Sequence, residues 1–255
     1  QGAVRIRDYA IEHVLEDIQT LNDLAIEGAI EVTAISAHAY PEVADRYWIM
    51  HCGASMGRGY GPIVVARPSG ALSLEELAGR RVAIPGRLTT AYLVARLYLP
   101  PFEAVTVPFD RIPDAVARGE VDAGLVIHES QLTFAEHGLV RLADLGEMWL
   151  EDTQLPLPLG LDVVRKDLGR ELASEIARGL ADSIRYGFEH EDGAIAYAMQ
   201  FGRGLDRERS RTFVRMYVND YTLDMGQEGR RALMTLFERG ARAGFLPAVP
   251  EIEVI

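Results

Sequence analysis

From residue 31 to about residue 146, short apolar runs rich in β-branched residues alternate with segments of helical period. This restricts the chain to the α/β class. The runs are "EVTAIS" (31–36), "YWIMHCG" (47–53), "PIVVAR" (62–67), "RVAIPG" (81–86), "EAVTVPF" (103–109), "AGLVIHE" (123–129) and "LVRLADLG" (139–146). A further strand is expected at "AIEHVLED" (10–17), where apolar and polar residues alternate. Between the runs, "DIQTLNDLAIEG" (17–28) predicts a helix with Asp17 as N-cap and Gly28 as its stop. Further helices are expected at "YPEVADRY" (40–47), at "LSLEELAG" (72–79) with a Ser73–Glu76 capping box, at "LTTAYLVARLYL" (88–99) and at "RIPDAVARGEV" (111–121). The pattern predicts a mostly parallel sheet with helices on both faces.

Two stretches depart from the rhythm. The glycine-rich "GASMGRGYG" (53–61) runs into Pro62 and a strand rather than a helix, so it lacks the strand–loop–helix order of a dinucleotide fingerprint and reads as an inter-strand turn. The proline-broken apolar stretch "LPLPLGLDVVRKDLG" (155–169) predicts a crossover strand, followed by a helical region over about 170–240 with one break at "GRGLD". If segments 62–68 and 157–164 form a hinge, the molecule has two lobes, 1–66 with 161–255, and 67–160.

Charge and cysteine usage narrow the functional classes. A formal net charge of −12 argues against nucleic acid and anionic membrane surfaces, and no apolar run approaches the ~18 residues of a membrane helix. The single cysteine, Cys52, excludes an internal disulfide and a zinc cluster; it points to a reducing, cytoplasmic setting and a buried, inert thiol. No metal-ligand spacing and no nucleophile elbow occurs, so no metal is implied. The chain starts at Gln1 without a methionine or a visible signal peptide, and an N-terminal piece is expected to have been removed.

Ligands of α/β sheets bind beyond the carboxyl ends of strands, which is where Ser36, residues 86–90 and His128 should lie. His128, at the tip of "GLVIHES", is suited to proton transfer near neutrality; the alternative is a satisfied structural histidine. Arg87, Thr89 and Thr90 open a helix whose amides and dipole favour a carboxylate or phosphate, while one threonine also serves as N-cap. Ser36 either points into the same cleft or caps the next helix. Asn22, mid-helix beside the apolar stripe, bonds either a ligand or a neighbouring loop.

The strings "VLEDIQTLNDLAIEG", "MGRGYGPIVVAR", "VAIPGRLTTAYL", "GEVDAGLVIHES", "GLVRLADLGEMW", "LPLPLG" and "YVNDYTLDMG" span nearly the whole chain. Together they resemble the 1,4-dihydroxy-6-naphthoate synthase family of the futalosine route to menaquinone. The resemblance implies a two-lobed fold like that of type II periplasmic solute-binding proteins. It also implies cofactor-free cleavage of cyclic dehypoxanthinyl futalosine, a carboxylated small molecule, to the naphthoate and a three-carbon fragment. His128 matches the family's proton acceptor. Thr89, Thr90 and Ala91 match its substrate contacts at "TTAY", and Ala34, Ile35 and Ser36 those near the second strand. Two departures stand out. The family's Ser-Pro-Cys-Pro-Asn-Asp-Thr type opening is absent, as if the chain began just after it. A lysine frequent two residues before the matching serine is Ala34 here, which makes Arg87 the expected substitute cation. The rival readings are a non-catalytic solute-binding protein, the sister chorismate dehydratase and, last, an interaction module.

Overall fold

The structure, a computed structural model, describes residues 4, 6, 9–70, 73–200 and 206–255. Its first half contains α1 (Ile18–Glu27), β1 (Val32–Ser36), β2 (Tyr47–Ile49), β3 (Ser55–Gly57), β4 (Ile63–Ala66), β5 (Arg81–Ile84), α2 (Thr90–Tyr98), β6 (Glu103–Thr106), α3 (Ile112–Ala117) and β7 (Ala123–Val126). Then come α4 (Ser130–Thr133), β8 (Val140–Asp144), α5 (Leu145–Thr153), β9 (Leu157–Arg165), α6 (Arg170–Glu189), α7 (Glu191–Ala198), α8 (Arg207–Tyr217), α9 (Asp220–Leu223) and α10 (Gly226–Arg242).

The strands form two sheets. In the first, β9 runs antiparallel to β1 on one edge and to β2 and β3 on the other. The second has the order β6-β5-β7-β4-β8; β5 is parallel to β6 and β7, and β4 is antiparallel to β7 and β8. The expected mostly parallel sheet is therefore confined to β6-β5-β7. A right-handed βαβ crossover sets strand direction only within such a run. β4 and β9 enter from the other sheet, so nothing in the alternation fixes their sense. The segments expected to form a hinge are these two paired strands, and β4, within the expected first lobe, belongs to the second sheet. The chain crosses at 58–62 and returns through α5 and 154–156.

Local capping chemistry builds the elements that carry the site. The Asp17 carboxylate accepts the Gln19 and Thr20 amides at 2.9 and 3.3 Å, and Gly28 closes α1 in the left-handed conformation at φ 69°. Thr89 caps α2 by accepting the Tyr92 amide at 3.3 Å. Other expectations are corrected. Residues 10–17 form no strand, and Ile11 and Leu15 are exposed, because alternation supplies a face but no ladder partner. The helix expected at 40–47 is a 3-10 segment at Ala37–Glu42, with Pro41 inside it. The one expected at 72–79 shrinks to a 3-10 turn at Glu75–Leu77, with the Ser73 amide on Glu76 at 3.0 Å. β3 forms within the glycine-rich stretch, and α5 follows β8 where no helix was expected. Of the expected break at "GRGLD", residues 202–205 lie outside the described residues; the helical region also breaks at His190, at the Asn219 capping box and at 224–225.

One buried apolar cluster runs through both sheets, joining Ile35, Ile49 and Val163 to Val64, Ile84 and Leu125 through Leu93 of α2 and Phe237 of α10. A smaller one lies between the second sheet and α3, and a third between the first sheet and α6. Cys52 is buried in the third, and burial pushes its thiol up to about 11, which leaves it inert. Among the described residues no helix is long and apolar enough to cross a membrane.

Candidate active site

β5 and β7 are parallel neighbours, with Val82 opposite Ala123 and Ala83 opposite Gly124, so their carboxyl ends open on the same edge of the sheet. Residues 86–90 follow one strand and His128 the other. The register thus brings the helix start and the histidine to adjacent strand ends, as expected for a ligand-binding edge.

His128 has a backbone φ of 53°, the left-handed region that costs a non-glycine residue roughly 1–2 kcal/mol. Such a conformation persists only where its surroundings over-determine it. The imidazole packs edge-on against the Phe109 ring, with centroids 4.8 Å apart, and its centroid lies 6.4 Å from that of the tilted Tyr217 ring. The His128 carbonyl accepts the Gln131 amide N–H at 3.1 Å. The Gln131 side chain donates through Nε2 to the Gly61 carbonyl at 2.9 Å, and its buried Oε1 has no hydrogen-bond partner. Burial pushes the Tyr217 hydroxyl well above the usual phenol range, against the opposing pull of the Gln131 side chain and the His128 main chain.

The other strand end is fully engaged. The Thr89 hydroxyl donates to the Gly86 carbonyl at 2.7 Å, and the Thr90 hydroxyl to the Leu159 carbonyl of β9 at 2.8 Å. His38, just after β1, locks onto both threonines: its amide donates to Thr90 Oγ1 at 3.2 Å, and its Nδ1 lies 3.1 Å from the Thr89 carbonyl. Burial lowers the His38 imidazole to about 4, so it is neutral, and the Nδ1 contact requires the proton on that nitrogen. Gln19 of α1 presses against Gly86, where an added Cβ would lie 2.1 Å from Oε1, and accepts the Leu88 amide at 3.3 Å. Arg87 is exposed, its guanidinium 6.0 Å from the centre of the Tyr92 ring.

Asn22 and Ser36 form a buried pair: Asn22 Oδ1 accepts the Ser36 amide at 2.8 Å, and its Nδ2 donates to Ser36 Oγ at 3.2 Å. Of the two roles open to Asn22, the structure displays the bond to a neighbouring segment. Ile35 and Ala91 are buried, so a ligand would meet their main chain rather than their side chains. Ala34 is half-buried and stands directly across the β1–β9 ladder from Asp162. Burial raises the Asp162 carboxyl to about 7, so the residue facing Ala34 is an acid rather than a cation.

The structure thus joins Asn22 to Ser36, and Thr89 and Thr90 to the turn that follows Ser36, and sets His128 on the neighbouring strand end. Sequence reasoning missed His38, Phe109, Gln131, Asp162 and Tyr217. The available signal was the segment "YVNDYTLDMG", family-like in its residues but given no role.

A family model described as menaquinone biosynthesis matches residues 3–242. The chain belongs to this family. It is 44% identical over 240 residues to a 1,4-dihydroxy-6-naphthoate synthase of Thermus thermophilus, covering 94% of this chain and 87% of that protein. It is 36% identical over 246 residues to the Streptomyces coelicolor protein of the same name, covering 94% and 86%. Among solved structures, a protein from Archaeoglobus fulgidus superposes with a TM-score of 0.86 at 51% identity, covering 91% of this chain and 86% of that one. The alkanesulfonate-binding protein of Xanthomonas axonopodis pv. citri gives a TM-score of 0.70 at 12% identity, covering 93% and 84%, a likeness of fold alone. Members of the menaquinone-biosynthesis family and periplasmic binding proteins thus share this α/β architecture.

Proposed function

We propose that the chain is a carbon–carbon lyase, a 1,4-dihydroxy-6-naphthoate synthase that cleaves cyclic dehypoxanthinyl futalosine to the naphthoate and dihydroxyacetone, with His128 as the general base. The observation that carries the histidine's role is its left-handed backbone at the carboxyl end of β7, a strain typical of residues held for function. Identity of 44% with a named synthase over most of the chain supports the reaction. A base of this type contributes about 10²–10⁴-fold to such a step.

In this reading the two sheets are the cores of two lobes, with β4 joining the second, and the substrate lies between them. Because the Thr89 and Thr90 hydroxyls are engaged with protein groups, the start of α2 offers an anionic substrate its first-turn amides, its dipole and the exposed Arg87. The main chain of Ala34, Ile35 and Ser36 supplies further contacts, and the Asn22–Ser36 pair fixes that strand end. A biosynthetic role, one buried thiol and a charge of −12 favour a cytoplasmic protein that acts on a small carboxylated substrate and not on nucleic acid.

Incubation with cyclic dehypoxanthinyl futalosine, followed by the naphthoate chromophore, tests the reading. Wild type is expected to turn over and His128→Asn to lose most of its kcat while remaining folded. Full activity in His128→Asn removes the base. Tight binding without turnover by wild type favours a solute-binding protein instead.

A further inference from the structure

The turn that carries His128 is fastened from α4. Gln131 is 5% exposed, and its main-chain amide donates to the His128 carbonyl at 3.1 Å. Its side chain reaches the segment where the chain passes between the sheets: Nε2 donates to the Gly61 carbonyl at 2.9 Å, in a buried bond. That segment is itself held fast. A Cβ on Gly61 would lie 2.8 Å from the Gly146 nitrogen, and one on Gly146 would lie 2.0 Å from the Tyr60 carbonyl carbon, so two main chains touch with no side chain between them. The Pro62 carbonyl accepts the Leu145 amide at 2.9 Å, and the Asp144 carboxylate accepts the Gly146 amide at 2.8 Å. Residues 58–62 lead from the first sheet to the second, and α5 begins the return. Gln131 therefore ties the histidine turn to the point where the two crossings meet.

Packing alone does not account for a glutamine at this position. Its Oε1 is buried without a hydrogen-bond partner, and an unmet buried acceptor opposes folding. A methionine fills a similar space with no such atom. What the glutamine adds is a donor to the Gly61 carbonyl, and that bond fixes where residue 131, and with it the amide bonded to His128, can sit. We propose that Gln131 is a positioning residue: its side chain pins the His128 turn to the crossing segment and so keeps the base in its left-handed backbone, fixed relative to both sheets. The inference rests on His128 being the base. A left-handed residue persists only where its surroundings over-determine it, and this bond restrains the main chain of the turn without using the imidazole.

The test is Gln131→Met, which keeps the volume and removes the donor. With cyclic dehypoxanthinyl futalosine as substrate, kcat is expected to fall about ten- to a hundredfold, the scale of a misaimed catalytic group, with KM changed less than about threefold. The imidazole 15N resonances of His128 should shift in the free variant. Gln131→Glu supplies a second readout, because a carboxyl group can donate to the Gly61 carbonyl only when protonated. Its kcat, taken as a ratio to wild type at the same pH, should recover as pH falls from 8 to 6. A ratio that stays as low as that of Gln131→Met across this range overturns the proposal. A lower urea midpoint in Gln131→Met with unchanged kcat and unchanged His128 resonances would mean that Gln131 only supports the fold, and would also overturn it. Wild-type kcat and resonances in Gln131→Met, beside an inactive His128→Asn, overturn it and leave the base standing. An active His128→Asn overturns both.

Discussion

The loops after β5 and β7 leave adjacent parallel strands, yet they are built in opposite ways. After β5, Thr89 and Thr90 are buried, each hydroxyl has a carbonyl partner, and His38 and Gln19 brace the turn from outside. After β7, a histidine sits in a strained backbone, Gln131 carries an unmet acceptor, and the restraint comes from aromatic rings. The first loop has spent its polar groups on the fold. The second keeps a strained backbone and an unmet acceptor in place. Two loops can thus share one edge of a sheet while one is a platform built into the fold and the other, in the proposed reading, is the tool.

Substitutions can break or sharpen this contrast. The largest effect is expected for His128→Gly. Turnover should drop about 10²–10⁴-fold. Stability to urea should stay within about 1 kcal/mol of wild type, because glycine adopts a φ of 53° without the steric cost. A loss of several kcal/mol would show that this loop, too, is platform. Thr90→Ala should behave in the opposite sense: it removes the hydroxyl between the Leu159 carbonyl and the His38 amide, and should cost about 1–3 kcal/mol in the urea midpoint with kcat within a few-fold. A normal midpoint with a large loss of substrate affinity would return that hydroxyl to the ligand.

His38 adds a pH signature to the platform. Its imidazole is lowered to about 4 in the folded chain, against about 6.5 unfolded, so below 6.5 the unfolded state binds the extra proton. The contribution is complete above pH 6.5 and is lost as pH falls towards 4, to the extent of about 3 kcal/mol. Wild type should therefore lose more stability than His38→Asn between pH 7 and pH 4.5, as read from urea midpoints at both; parallel losses would remove His38 as the brace. The smallest effect is expected for Arg87→Ala. This exposed cation should leave the midpoint unchanged and raise KM by about two- to fivefold, the scale of a screened surface charge. An unchanged KM would remove Arg87 from the substrate's path.

Legibility followed the range of the interaction. Asp17, Gly28 and Thr89 act on amides or carbonyls within three or four residues, so the starts of α1 and α2 could be read from the sequence. His128 stood out because a titratable group ended an apolar strand. The sense of β4 and β9, the bracing by His38 from 51 and 52 residues away, and the contact of Tyr217 with His128 depend on partners remote in sequence, which local pattern does not encode. The missing strand at 10–17 failed for the same reason: strand character is a property of a pair.

The Ala34–Asp162 pair also bears on how this sequence can change with time. Facing side chains on adjacent strands sit about 5 Å apart, so the residue tolerated at one position depends on its neighbour. A lysine at 34 would meet a carboxylate already in place across the ladder. The same lysine opposite an apolar residue would bring a half-buried charge with nothing to answer it. The side chain that position 34 can accept therefore depends on the one at 162, and a change at either alters the cost of a change at the other.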